Sequence, residues 1–145
     1  DPAKTASVLR VGYFTAGDIG YLDADGYLFL SGRSAEVIIS GGVNIYPQEI
    51  DDVLAQHRAV ADVACVGVPN EDLGEEIKAV IELRPGFTPD EALSQSLADF
   101  CVERLSKQKW PRSFDFVAAL PRSEAGKVLR RALRERYWAG RERQI

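Results

Sequence analysis

Residues 59–83 read AVADVACVGVPNEDLGEEIKAVIEL. The opening run, AVADVACVGV, is almost wholly apolar, the pattern of a strand covered on both faces. In the run that follows, Ile77, Ala79, Ile81 and Leu83 alternate with Lys78 and Glu82, which predicts a second strand with one wet face.

Helical patterns flank this pair. In YPQEIDDVLAQH, Pro47 stands where a first helical turn accepts proline. Glu49, Asp51 and Asp52 lie toward the positive helix start, and Ile50, Val53 and Leu54 share one face. FTPDEALSQSLADFCVERL offers Thr88 as a cap, Pro89 at the first helical position and Glu91 three residues after the cap, then repeats Leu93, Leu97, Phe100 and Cys101 at helical spacing. SFDFVAALP predicts a last strand, and KVLRRALRERYW a last helix carrying Leu129, Leu133 and Tyr137. The expected fold is α+β, a small sheet backed by helices.

Toward the start, GDIGYLDADGYLFLSG holds two β-rich runs around Asp25-Gly26, residues that tolerate positive φ in a tight turn, and so predicts a hairpin. EVIISGG then gives a brief strand, Val37 to Ile39, running into Gly41 and Gly42. A junction is expected near Arg33 to Ala35. Residues 1–33 are too few to build a core, so they are expected to end a larger N-terminal domain, with 34–145 forming a separate C-terminal one.

Composition is globular, 46% apolar and 28% charged, and no apolar run approaches the roughly 20 residues of a membrane helix. No secretory leader is visible, and Cys65 and Cys101 have neither metal spacing nor a CxxC pattern, so a reducing cytoplasm is expected. The chain begins with Asp1 and contains no methionine, which reads as a piece of a longer product. Net charge is −4, yet eight of the 18 basic residues and three of the 22 acidic ones lie from Arg122 onward. Arginines spaced along a terminal helix are ordinarily a solvated face, and no aromatic platform or nucleic-acid motif accompanies them, so a nucleic-acid partner is not expected.

Three features could carry chemistry. Asp18, in AGD, could accept hydrogen bonds from ligand hydroxyls or simply cap a turn. SGGVN could present backbone N–H groups to a phosphate or a thin ligand arm, or make a tight turn. Lys127, in SEAGK, lacks the upstream GxxxxGK of a P-loop, and surface lysine is its plainest reading.

Taken in order, YFTAGDIGYLDADGYLFLSGRSAEVIISGGVNIYPQEIDDVL, VADVACVGVPNEDLGEEIKAVI and LPRSEAGKVLRR resemble the C-terminal portion of the adenylate-forming enzymes: acyl-CoA synthetases, luciferases and nonribosomal-peptide adenylation domains. The resemblance spans Gly12 to Arg131. It implies a two-step ligase in which a carboxylic acid, fatty or aryl, attacks the α-phosphate of ATP, a mobile C-terminal domain rotates, and a thiol takes the acyl group.

By that resemblance Asp18 holds the ribose hydroxyls, Arg33 grips the nucleotide and Lys127 bridges carboxylate and phosphate oxygens. Gly41 and Gly42 would line the pantetheine tunnel. Lys109, in KQKWP, would lie toward CoA, although a surface lysine fits the residue itself equally well. Mg2+ would be held mainly by the large domain, which also carries the acyl pocket, so this piece alone is expected to be inactive.

The sequence departs from the family pattern at Ala16, where threonine is usual, and at Ala35, a hinge position often Asp or Lys, leaving Ser34 or Glu36 to take part in the pivot. Gln108 replaces an aromatic, with Trp110 following Lys109. His57, Cys65 and Cys101 read as structural. IISGGVNIYPQEI favours free CoA over a carrier protein as acceptor. The reading from a different class is a non-catalytic module that keeps the fold and binds an acidic partner through its basic helix.

Overall fold

The structure, a computed structural model, describes residues 1–141; Glu142 and Arg143 of the basic terminus lie outside the described residues. Helix α1 (Pro2–Val8) and a short ladder of β1 (Leu9–Arg10) with β2 (Tyr13–Phe14) lead into the expected hairpin, β3 (Asp18–Leu22) against β4 (Leu28–Arg33). Its turn is closed by Asp23, whose carboxylate accepts from the N–H groups of Asp25 and Tyr27, and by Gly26 at φ +85°. The hairpin leaves its apolar side chains bare: Tyr21, Leu22, Tyr27, Leu28, Phe29 and Leu30 are all exposed. A 3₁₀ turn, Ser34–Glu36, follows.

The main sheet contains β5 (Ile38–Ser40), β6 (Val43–Ile45), β7 (Val60–Asn70), β8 (Gly74–Leu83) and β9 (Ser113–Val117) in the order β6-β5-β8-β7, with β9 also beside β8. The long β7 pairs antiparallel along all of β8. The other edge of β8 is divided, Gly74 meeting Ser40 of β5 and Lys78–Glu82 pairing in parallel with β9. The sequence predicted no strand at Val43–Ile45. It forms because Gly41 and Gly42, at φ +55° and +78°, fold β5 back on β6 through a two-residue turn.

Helices α2 (Pro47–Leu54), α3 (Glu91–Val102) and α4 (Arg130–Trp138) complete the α+β fold. Val63 and Cys65 of β7 join Ile50, Leu54, Leu97 and Cys101 in one core, whereas Ala64, Val66 and Val68 join Leu133 and Leu120 in a second. The strand is therefore covered on both faces, as its apolar run requires.

Three local expectations are corrected. Helix α3 begins at Glu91 rather than at Pro89, because Asp90 and not Thr88 caps it, accepting from Leu93 N at 2.7 Å. The second face of β8 is not wet: Val80 is buried in the second core, and Lys78 is half-buried, held to Asp115 at 2.8 Å and lying over the Tyr137 ring. Leu129 stands exposed just ahead of α4, leaving Leu133 as that helix's buried anchor.

Candidate active site

Lys127 sits at the end of a tight loop built by its neighbours. Gly126, at φ +78°, lets Ser123 N reach Lys127 O and Gly126 N reach Ser123 O, each at 2.8 Å, while Lys127 N donates to Ser123 Oγ at 3.3 Å. Arg122 ties the loop down, donating to Gly126 O at 3.0 Å and pairing with Asp62 of β7. The backbone under Lys127 is thus pinned and its side chain exposed.

That side chain borders a cleft of about 340 Å³, whose walls include Asp18, Arg33, Glu36, Gln48 and Lys127. Asp18 and Arg33 arrive there as cross-strand partners at the open end of the β3–β4 ladder, closed by Ser34, whose N and Oγ donate to Gly17 O at 2.8 and 3.1 Å. Two carboxylates, Asp18 and Glu36, and two cations, Arg33 and Lys127, thus border one hollow.

Gly41 borders a different hollow of about 280 Å³, with Lys107, Gln108, Trp110 and Arg112 on its walls. The two hollows share no residue. Gly42 follows in the turn, where an added Cβ would meet nothing within 4 Å; its positive φ is what requires glycine. Lys109 lies elsewhere, its Nζ 2.6 and 2.7 Å from the two carboxylate oxygens of Glu49. Trp110 is half-buried against the first core and donates to Leu105 O at 2.9 Å.

The structure also brings in residues the sequence reading counted only as charge. Arg130 is largely buried, not solvated: its guanidinium bonds Glu36 at 3.1 Å, Cys65 O at 3.1 Å and Gln48 at 3.3 Å, and pairs with Asp51. Asp51, buried on α2, in turn accepts from Cys65 N at 2.7 Å. Burial raises the Asp51 carboxyl above its ordinary value, with the Arg130 charge and hydrogen bonds from Arg130 and Cys65 pulling against that. One turn on, Arg134 bonds the buried Glu75, whose other oxygen accepts from Ile39 N at 3.1 Å. Arg131, on the outer face, is fully solvated. The terminal helix therefore has a solvated side and a clamped side, and an acidic residue one helical turn back from Leu54 was the signal that could have located the clamp.

His57, buried, accepts from Ala59 N at 3.3 Å through Nδ1, which leaves Nε2 to donate to Ser96 Oγ at 3.2 Å. Burial, with the charges of Arg58 and Arg104, holds its pKa below the usual value. Cys65 and Cys101 are free and buried, and burial pushes both thiols up, Cys101 to about 11.

A glycine-flanked lysine on a pinned loop and an aspartate–arginine hairpin thus border one cleft. Residues 49–127 match the AMP-binding enzyme C-terminal domain family, and the chain belongs to it. It is 47% identical over 133 residues to the 2-succinylbenzoate–CoA ligase of Geobacillus kaustophilus, covering 92% of this chain and 26% of that protein. It is 40% identical over 144 residues to the fatty acid–[acyl-carrier-protein] ligase ScoC of Streptomyces coeruleorubidus, covering 99% and 27%. The ATP-bound crystal structure of MatB from Rhodopseudomonas palustris superposes with a TM-score of 0.84 at 37% identity, over 95% of this chain and 27% of that one. The chain thus spans about a quarter of the length of the proteins it matches.

Proposed function

We propose that the chain is the C-terminal part of an AMP-forming acid–thiol ligase that activates a fatty or aryl carboxylic acid as its acyl-adenylate and passes the acyl group to CoA. The observation that carries this reading is the single cleft shared by Asp18, Arg33 and Lys127. Asp18, an exposed carboxylate, can accept two hydroxyl hydrogen bonds from a ribose, and Arg33 supplies a planar fork for phosphate oxygens. Lys127 places an ammonium where the pentavalent phosphorus gathers negative charge. At about 4 Å in a partly screened site, such a pair contributes on the order of 4 kcal/mol.

We assign residues 1–33 to the end of a large N-terminal domain and 34 onward to a mobile one. The bare apolar side chains of the β3–β4 hairpin support this, because a two-stranded ribbon is stable only when something covers it. The substrate pocket and the main ATP loop then lie outside this chain, and the chain by itself is inactive. We place the nucleotide's Mg2+ mainly on groups of that large domain.

For the thiol step we assign Gly41 and Gly42 to the path of the pantetheine arm, where absent side chains matter, and Lys109 to the CoA side. A domain that swings to exchange the Lys127 cleft for the Gly41 hollow would serve both steps with one set of walls. Among the described residues no helix is long and apolar enough to cross a membrane, and a cytoplasmic location suits the substrates.

The test is to supply the intact parent protein with ATP, a panel of carboxylic acids, and either CoA or a carrier protein bearing its pantetheine arm. AMP and acyl-CoA formed together support the reading. Acyl transfer to the carrier alone would move the acceptor to a protein, as in the ScoC relative's name. Turnover of no acid, combined with salt-sensitive binding to an acidic macromolecule, would favour a non-catalytic module instead.

A further inference from the structure

Arg130 stands three residues after Lys127 and spends its donors on three separate elements. Nε meets Glu36 in the 3₁₀ turn that leaves the hairpin, at 3.1 Å; Nη1 meets Cys65 O in β7, at 3.1 Å; Nη2 meets Asp51 and, at 3.3 Å, Gln48, both in α2. Glu36 and Gln48 themselves line the cleft that Lys127 enters. The guanidinium therefore lies directly behind the cleft wall, joining the start of α4 to the turn after Arg33.

We infer that Arg130 is a positioning residue for Lys127, and that its pair with Glu36 sets where the lysine loop stands relative to the hairpin bearing Asp18 and Arg33. The Arg122 tether fixes the loop to β7 but not to that hairpin. The Glu36–Arg130 bond spans the gap, because Glu36 follows Arg33 by a single short turn. The adjoining position is Ala35, which has no side chain able to form a comparable polar link. A planar, always-charged fork is the group such a strut needs: lysine could satisfy one of these acceptors at a time. Glu36 and Arg130 both lie in the part assigned from residue 34 onward, so the strut travels with the lysine loop when the domains rotate; Glu36 is partly exposed, while the Asp51 pair is buried.

This inference rests on the proposed role of Lys127, so the experiment contains a control for that role. In the intact parent protein, ATP–pyrophosphate exchange and thioester formation from preformed acyl-adenylate are measured for wild type, Lys127→Ala, Glu36→Ala, Arg130→Lys and the pairs of each with Lys127→Ala. A misplacement of about 1 Å at a reacting group can cost on the order of 100-fold. The expected result is a roughly tenfold or greater fall in the exchange kcat for Glu36→Ala and Arg130→Lys, with little change in KM for ATP and none in the thioester half-reaction. In the Lys127→Ala background both substitutions should add less than about threefold, since they act through an amine already removed.

Glu36→Ala keeps the buried Arg130–Asp51 pair, so its melting temperature should match wild type; this separates positioning from folding. If Lys127→Ala leaves exchange intact, the proposed function fails. If Lys127→Ala abolishes exchange but Glu36→Ala and Arg130→Lys exchange like wild type, or lower both half-reactions equally, the positioning role is overturned and the function stands.

Discussion

Asp18 and Arg33 are direct cross-strand partners at the open end of the β3–β4 hairpin, with Arg33 Nε 3.3 Å from Asp18 Oδ1. Both are substantially exposed, so the pair itself stabilises little, about 0–1 kcal/mol. Its consequence is orientational: each charge holds the other in a defined place until a ligand offers a better partner. Substituting Asp18→Asn in the parent protein should raise KM for ATP about tenfold, the loss of charge-assisted acceptance from ribose, with the melting temperature unchanged. Nucleotide titration of the exchange reaction checks it, and an unaltered KM would remove Asp18 from the nucleotide site.

Lys109 is held by Glu49 rather than by the hollow beside Gly41. In the resting geometry the two are a surface pair, and Glu49→Gln should change stability by less than about 1 kcal/mol. If Lys109 turns toward CoA in the thiol step, Lys109→Ala raises KM for CoA several-fold and leaves pyrophosphate exchange untouched. Unchanged kinetics in both half-reactions would return Lys109 to plain surface.

Gly67 in β7 has no room for a side chain. A Cβ there would overlap the Glu75 carboxylate and approach Ile38 Cγ2 to 3.2 Å. Glu75 cannot step aside without leaving Ile39 N and Arg134. Gly67→Ala should therefore destabilise the chain by about 2 kcal/mol, read as a lower midpoint in denaturant unfolding. Because Glu75 also anchors the strand that leads to Gly41, the same substitution should slow the thioester step more than adenylation.

Asp115 sets an acid limit on stability. Burial alone would raise its carboxyl, but hydrogen bonds from Lys78 and Tyr137 and the Lys78 charge outweigh it, leaving the group below its ordinary value. A depressed carboxylate contributes stability above its unfolded pKa of about 4 and loses it as pH falls through the folded value. Asp115→Asn should cost about 1 kcal/mol at neutral pH, with the gap to wild type closing below about pH 4. A gap that persists undiminished at pH 3 would mean that packing, not the charge, supplies the effect.

The apolar run at 60–68, the Asp-Gly turn and the helical spacings made most of the architecture legible, because each is a local pattern with one sterically cheap solution. Strand β6 escaped notice because three residues after a glycine pair carry too little periodicity. The wet face assigned to Lys78 failed because its cover, Tyr137, arrives from α4, some 60 residues away in sequence. A longer separation, 79 residues, hid the clamp: Asp51 on the apolar face of α2 signals that a partner is needed, but not that Arg130 is that partner, and arginines read one by one look solvated. Among site candidates, Asp18 and Lys127 were named from linked motifs, whereas their shared cleft is a product of the fold alone.

The most direct measurement is a comparison of wild-type and Lys127→Ala parent protein in the two half-reactions, taken separately. The account predicts that ATP–pyrophosphate exchange falls by about 100-fold or more, while thioester formation from preformed acyl-adenylate and CoA continues at close to the wild-type rate. Exchange at the wild-type rate in Lys127→Ala would contradict it.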